Sequence, residues 1–309
     1  MTFGVVSACL ALAGLASPPD AAPTAAARRA PAFGVALDVV GLSVSVTDDR
    51  NRFVAGLRED DFSVLEDGVP QRLFLFERED VPISLVLMID ASASMSEQLR
   101  AAQDAALRLA RTLGPRDQVQ VVAFADRTWL TQDFTTEHPA IERAIRGIRA
   151  SGFTALRNAL YDVLRRVARL RRAEEPHRFA VVLLSDGADT RSLVGEEDVL
   201  ELARGSDVTI HTIGLRPRRS PRESHLLFAQ AAHFLASVAR ATGGEACLPR
   251  SPAELDGLYD RIAAELRAQY VLGYAPSNPR RDGGWRQVQV RVRPGLAARH
   301  RPGYYARPR

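Results

Sequence analysis

The sequence predicts an α/β protein with a doubly wound, mostly parallel sheet and a smaller β module beside it. Apolar runs, typical of strands buried on both faces of a parallel sheet, lie at residues 83–89 and 181–184, and two further buried strands are predicted at residues 119–124 and 208–213. Segments with apolar residues at helical spacing alternate with these runs, and that alternation is typical of a doubly wound sheet. Before and after this region, apolar residues recur at every second position, as in strands with one buried face.

The helices are predicted where apolar positions recur every three or four residues. They lie at residues 94–113, 141–148, 155–170, 196–203, 226–240 and 253–267. The last of them is preceded by Ser251, Pro252 and Glu254. A serine cap, a proline in the first turn and a glutamate that closes a capping box together predict a helix start at this point.

The β module is predicted from two segments that flank the α/β region. Leu42, Val44 and Val46 alternate with serines, and the Asp67-Gly68 pair predicts a tight hairpin between residues 62–65 and 72–76. Further strands are predicted at residues 270–274 and 288–292. Residues 38–80 are rich in acids, whereas residues 270–309 carry nine arginines and one acid, so we expect the two segments to pair. The predicted organisation is therefore 33–81 and 268–309 as β segments around an 82–267 core.

Composition excludes several functional classes. The 309 residues are 46% hydrophobic and 25% charged, the balance of a globular protein. All 41 basic residues are arginine, so lysine Schiff bases, P-loop lysines and Ser-Lys dyads are excluded. We attribute the arginine to codon bias and expect no nucleic-acid partner. A mature chain that lacks Cys9 would keep only Cys247, which excludes a cysteine zinc site.

The N-terminus predicts export. Residues 5–16 are apolar and small but fall short of the ~20 residues that span a bilayer. They fit the hydrophobic region of a signal peptide, with cleavage after Ala16 or Ala22. We therefore interpret residues 1–32 as a signal peptide and an Ala/Pro-rich linker, and we expect an exported protein without a transmembrane span.

Oxygen-bearing side chains follow two of the predicted strands. Asp90, Ser92 and Ser94 come directly after the first apolar run, and Asp186 follows the run at 181–184. Thr154 lies in a loop just before a helix. Ligands of open α/β sheets bind beyond the carboxyl ends of the strands, and carboxylates with hydroxyls suit a hard cation. Taken alone, the serines could equally be helix N-caps.

These five residues, in this order and spacing, resemble the metal-ion-dependent adhesion site (MIDAS) of the von Willebrand factor type A (vWA) family. The resemblance covers roughly residues 82–265, and residues 61–68, 242–244, 269–274 and 303–305 are similar to vWA-related proteins abundant in Acidobacteria. It implies Mg²⁺, with Ca²⁺ or Mn²⁺ as alternatives, held by hydroxyls of Ser92, Ser94 and Thr154 and by Asp90 and Asp186. It also implies a protein partner whose Asp or Glu completes the coordination.

The function expected from the sequence is metal-dependent protein binding without catalysis. Asp90 at a strand end is also a feature of haloacid-dehalogenase-type phosphotransferases, but those need a second aspartate where this chain has Ser92. An assembly scaffold, in which the metal only stabilises loops, is the alternative, and a hydrolase ranks third. Asp189 is interpreted as a solvated turn residue.

Overall fold

The computed structural model describes residues 39–77, 81–170, 178–186, 189–216, 222–306 and 308. The predicted signal peptide and linker lie outside the described residues. Residues Asp38–Arg309 form one compact unit. No helix among the described residues is long and apolar enough to cross a membrane.

A six-stranded sheet forms the centre of the α/β region. Its order is β10-β9-β8-β5-β6-β7, and every neighbouring pair is parallel except β6 and β7. The strands are β5 (Ile83–Asp90), β6 (Gln118–Phe124), β7 (Thr128–Thr135), β8 (Arg178–Ser185), β9 (Thr209–Gly214) and β10 (Ala246–Cys247). The four predicted parallel strands are confirmed. The antiparallel edge strand β7 was not predicted, because its half-exposed residues form no apolar run.

In the described part of the chain, six α-helices cover the two faces of this sheet. They are α1 (Leu99–Arg111), α2 (His138–Gly147), α3 (Leu156–Leu170), α4 (Glu196–Arg204), α5 (Arg222–Thr242) and α6 (Leu255–Ala268). Alternation along β5 shows how the layers are built. Leu85, Leu87 and Ile89 face the core formed with α1, α2 and α6, whereas Val86 and Met88 face the core formed with α3, α4 and α5. A strand with both faces buried is for this reason apolar along nearly its whole length.

The flanking segments form two four-stranded antiparallel sheets with the orders β13-β1-β11-β4 and β14-β12-β2-β3. The strands are β1 (Val40–Thr47), β2 (Phe62–Glu66), β3 (Val69–Gln71), β4 (Leu73–Glu77), β11 (Tyr270–Tyr274), β12 (Trp285–Val292), β13 (Ala297–Arg299) and β14 (Gly303–Tyr305). Each sheet pairs strands from both ends of the chain, since β1 pairs with β11 and β2 with β12. One core, which includes Leu42, Val64, Tyr270 and Val290, is shared by the two sheets.

Two local predictions need correction. The Asp-Gly turn forms, with φ of 48° at Asp67 and 81° at Gly68, but the partner of β2 in the hairpin is β3 and not residues 72–76. The chain then crosses to the other sheet, where β4 pairs with β11. Ser251 does not cap α6 either, because residues Pro252–Glu254 form a separate 3₁₀ turn and the helix begins at Leu255.

A buried charged cluster joins the β module to the α/β region. Glu265 of α6 and His211 of β9 are both fully buried, and their Oε2 and Nδ1 atoms are 3.8 Å apart. Arg299 of β13 lies 2.5 Å from Glu265 Oε1, and the hydroxyl of Ser45 donates to the same oxygen at 2.7 Å. Burial alone would raise the pKa of Glu265, but His211 and Arg299 hold that pKa below its usual value. The contacts attach β1 and β13 to the core.

Candidate functional site

The site lies where β5 and β8 end. The two strands are parallel neighbours in a register that aligns Ile89 with Leu184, so Asp90 and Ser185 end adjacent strands. Asp186 follows directly, and both carboxylates are buried, with 0% exposure at Asp90 and 1% at Asp186. Buried apolar runs in the strands therefore place two acids at one edge of the sheet, as the sequence predicts.

Hydrogen bonds fix the orientation of the Asp90 carboxylate. Its Oδ2 accepts from the hydroxyl of Ser185 at 2.5 Å, and its Oδ1 accepts from the backbone N–H of Ser92 at 2.8 Å. Burial, and second the charge of Asp186, raise the pKa of Asp90 to about 7, although the bonds from Ser185 and Ser92 act in the opposite direction. Two like charges out of water repel each other strongly, so the edge is a place where a cation is stabilised.

The serine hydroxyls are not used as helix caps. Ser92 precedes a 3₁₀ helix at Ala93–Glu97 but makes no side-chain capping bond. Its Oγ lies 3.0 Å from Oγ of Ser94, and Ser92 is buried whereas Ser94 is exposed. The helix-cap interpretation of Ser92 therefore has no support in the hydrogen bonding; its hydroxyl instead contacts the Asp90 carboxylate and lies next to the hydroxyl of Ser94.

Backbone hydrogen bonds tie the Thr154 loop to the Asp90 loop. Ala93 N donates to Gly152 O at 3.1 Å, and Ser151 N donates to Ala91 O at 2.7 Å. Gly152 has a φ of +76°, a conformation that favours glycine. Thr154 is 3% exposed. These bonds hold the loop that carries Thr154 against the loop that follows Asp90. Thr154 lies just before the start of α3 in the chain.

The donor set fits a hard divalent cation. Carboxylate and hydroxyl oxygens are the ligands that Mg²⁺ and Ca²⁺ prefer, and the five predicted residues supply only these. Among the described residues, no group of three or more His, Cys, Asp or Glu side chains is arranged to hold a metal. The predicted site is of a different kind, because only two of its five residues are acids and the other three carry hydroxyls. The assignment of the five as metal ligands stays a prediction.

Asp189 differs from its predicted role. Its carboxylate accepts from the backbone N–H and Nε of Arg157, at 2.9 and 3.0 Å, and from the backbone N–H of Ser192 at 3.0 Å. It is an anchor between the loop after β8 and the start of α3, and not a solvated turn residue. Asp126, which sequence reasoning missed, lies close to the same edge: a Cβ at Gly152 would be 3.2 Å from its Oδ1.

Comparison with known proteins places the fold. Residues 85–188, a range that contains all five candidate residues, match the family model of the von Willebrand factor type A domain. A curated relative, a UPF0353 protein of Mycolicibacterium paratuberculosis (strain ATCC BAA-968 / K-10), is 26% identical over 61% of this chain. The match spans 62% of that relative's length.

A solved structure shares the architecture. A von Willebrand factor type A protein from Catenulispora acidiphila superposes with a TM-score of 0.52 at 14% identity, covering 89% of this chain and 74% of that one. Proximal thread matrix protein 1 from the mussel byssus, solved with a zinc-occupied MIDAS motif, gives a TM-score of 0.49 at 18% identity over 62% of this chain and 49% of that chain. The likeness to the Catenulispora acidiphila protein shows that the mixed α/β sheet predicted from the sequence is a known fold.

Proposed function

We propose that this chain, in which residues 85–188 match the von Willebrand factor type A domain, is a non-enzymatic protein that binds a partner through a divalent cation. Asp90, Ser92, Ser94, Thr154 and Asp186 would hold the ion, with Mg²⁺ as the resident metal and Ca²⁺ or Mn²⁺ as substitutes. A partner Asp or Glu would supply a further ligand. The single observation that carries the proposal is the placement of two buried carboxylates, those of Asp90 and Asp186, at the carboxyl edge of β5 and β8.

Charge balance favours an external acidic ligand. The two carboxylates neutralise a dication formally, while the three hydroxyls are neutral donors. An ion with few anionic ligands stays electrophilic, so a partner carboxylate that replaces water gains a strong charge-assisted contact. When bound, the metal supplies this electrostatic attraction, and the protein supplies the orientation of its own ligands through the bonds to Asp90.

The same arrangement favours binding over catalysis. The acids beside the site have structural partners: Asp90 accepts from Ser185 and Ser92, and Asp189 accepts from Arg157. His211 is fully buried at the junction with the β module, where it faces Glu265 and has a structural role. We also propose that the protein is exported, since a partner-binding site suits the signal peptide interpreted from residues 1–32.

Water-proton relaxation of Mn²⁺ bound to the full chain tests the proposal. Mn²⁺ at the site should carry exchangeable water, and acetate, as the smallest carboxylate, should lower the relaxation enhancement as it displaces that water. Chloride at equal ionic strength is the control. Bound Mn²⁺ whose enhancement is unchanged by acetate would indicate a metal that only staples loops, and absence of enhancement would contradict the site itself.

A further inference from the structure

We propose that the partner's acidic residue is flanked by an aromatic or branched aliphatic side chain, which packs on an exposed rim beside the metal site. The rim consists of Phe153, Arg191 and Leu193. This inference rests on the proposed function, since the rim adds specificity to the same carboxylate-binding site. It names the chemistry of the partner, which the five candidate ligands leave open.

The rim begins at the residue next to a candidate metal ligand. Phe153 precedes Thr154 and is 56% exposed. The guanidinium carbon of Arg191 lies over the Phe153 ring, 4.3 Å from its centroid. The backbone N–H of Arg191 donates to the carbonyl of Thr154 at 3.0 Å. An aromatic face and a positive charge are therefore fixed next to the position where the partner's carboxylate would bind.

Leu193, two residues after Arg191 in the chain, is a second exposed apolar side chain on a loop that is held by hydrogen bonds. Its side chain is 95% exposed, yet its backbone N–H donates to Oδ1 of Asn158 at 3.0 Å, as does the backbone N–H of Val194. Asp189 fixes the preceding residue by accepting from the N–H of Ser192 at 3.0 Å. Leu193 is therefore exposed although hydrogen bonds anchor its loop.

Such a surface has the properties of a binding rim. Exposed apolar side chains that are held together mark interaction sites more often than scattered ones do, and aromatic and arginine side chains dominate binding energy at interfaces. Because the loop is already ordered, a partner loses less conformational freedom there on binding. Arg191 adds a positive charge, which attracts an acidic partner segment and disfavours a basic one.

A displayed peptide library tests the inference. Disulfide-closed heptapeptides with aspartate fixed at the centre and the flanking positions randomised would be selected on the full chain in Mg²⁺, with elution by EDTA. The dissociation constants of enriched peptides would then be measured for the wild type, Phe153→Ala, Leu193→Ala and Phe74→Ala. Phe74 lies in the β module and is also 56% exposed, so it is a matched control for loss of an exposed phenylalanine.

We expect the selected peptides to be enriched in aromatic and branched aliphatic residues beside the aspartate. Phe153→Ala should bind these peptides at least tenfold more weakly than the wild type, and Leu193→Ala about threefold more weakly. Phe74→Ala should change the dissociation constant by less than twofold. EDTA-eluted peptides with no apolar flank, or with equal affinity for Phe153→Ala, would overturn the rim and leave the metal-dependent function intact. No EDTA-eluted peptides would overturn both. Mg²⁺-dependent self-association in sedimentation, lost in Phe153→Ala, would assign the rim to a second copy of the chain and overturn the partner stated here.

Discussion

Replacing Asp90 by asparagine is expected to stabilise the metal-free protein at pH 8. Burial and the charge of Asp186 raise the pKa of Asp90 from 3.8 to about 7 in the folded state. The folded protein therefore holds this proton more tightly than the unfolded chain does. The ionised carboxylate destabilises the fold increasingly as pH rises from about 4 to about 7, and the full cost persists above that window.

The magnitude follows from the width of that window. A pKa difference of one corresponds to about 1.4 kcal/mol, so ionised Asp90 costs on the order of 4 kcal/mol at pH 8. Asparagine keeps the shape and can still accept the N–H of Ser92, and the Ser185 hydroxyl can turn to accept from the amide. Some of the gain is lost in this exchange, and we expect the free energy of unfolding to rise by about 2–4 kcal/mol.

Urea unfolding in EDTA at pH 8 and pH 5 measures this effect. The gain should shrink to less than half at pH 5, where folded Asp90 is protonated. Asp189→Asn is the matched control, because Asp189 pairs with Arg157, and it should lose about 1–2 kcal/mol instead. If Asp90→Asn lost stability as Asp189→Asn does, burial and the charge of Asp186 would not be destabilising the ionised Asp90 carboxylate, and the electrostatic reasoning would be refuted.

Three further changes have defined outcomes. Mg²⁺ affinity by calorimetry should be about tenfold weaker at pH 6 than at pH 8, because the ion must displace the proton that Asp90 holds with a pKa of about 7; a change under twofold would contradict this. Arg299→Ala removes the cation that pairs with buried Glu265 and should lower the free energy of unfolding by about 3 kcal/mol in urea, whereas a loss below about 0.5 kcal/mol would show that the junction tolerates the uncompensated charge. Gly244→Ala would place a Cβ 2.0 Å from a carbonyl oxygen of β9 and should lower the thermal midpoint of unfolding. Gly257→Ala, in open space on α6, is the control and should raise the midpoint slightly. Equal effects of the two substitutions would contradict the steric argument.

The sequence predicted the layers of the fold because burial leaves a simple pattern. Strands β5, β6, β8 and β9 are buried along nearly their whole length since each faces two helical layers, and β5 and β8 are almost entirely apolar for that reason. Alternation in β1 and β12 likewise reported one buried face. The pattern could not show that β4 leaves its hairpin for another sheet, because pairing partners depend on the packing of Leu73 and Tyr270 in a shared core.

The site was predictable for a topological reason, and its surroundings were not. Strand ends of a parallel sheet meet at one edge, so Asp90 and Asp186 could be placed together from their positions after apolar runs. The pairing of Asp189 with Arg157 crosses more than thirty residues and leaves no local signal. The same holds for the stacking of Arg191 on Phe153, because neither residue belongs to a periodic pattern.

Calorimetric titration of Mg²⁺ into the full chain tests the central claim most directly. The wild type is compared with Asp90→Ala combined with Ser92→Ala, and with the distant control Phe74→Ala, each with and without acetate. The account predicts saturable binding of one ion by the wild type and by Phe74→Ala, strengthened by acetate, and no binding by the double variant. Binding that survives in the double variant, or none in the wild type even with excess acetate, would contradict the proposal that this edge of the sheet holds a cation.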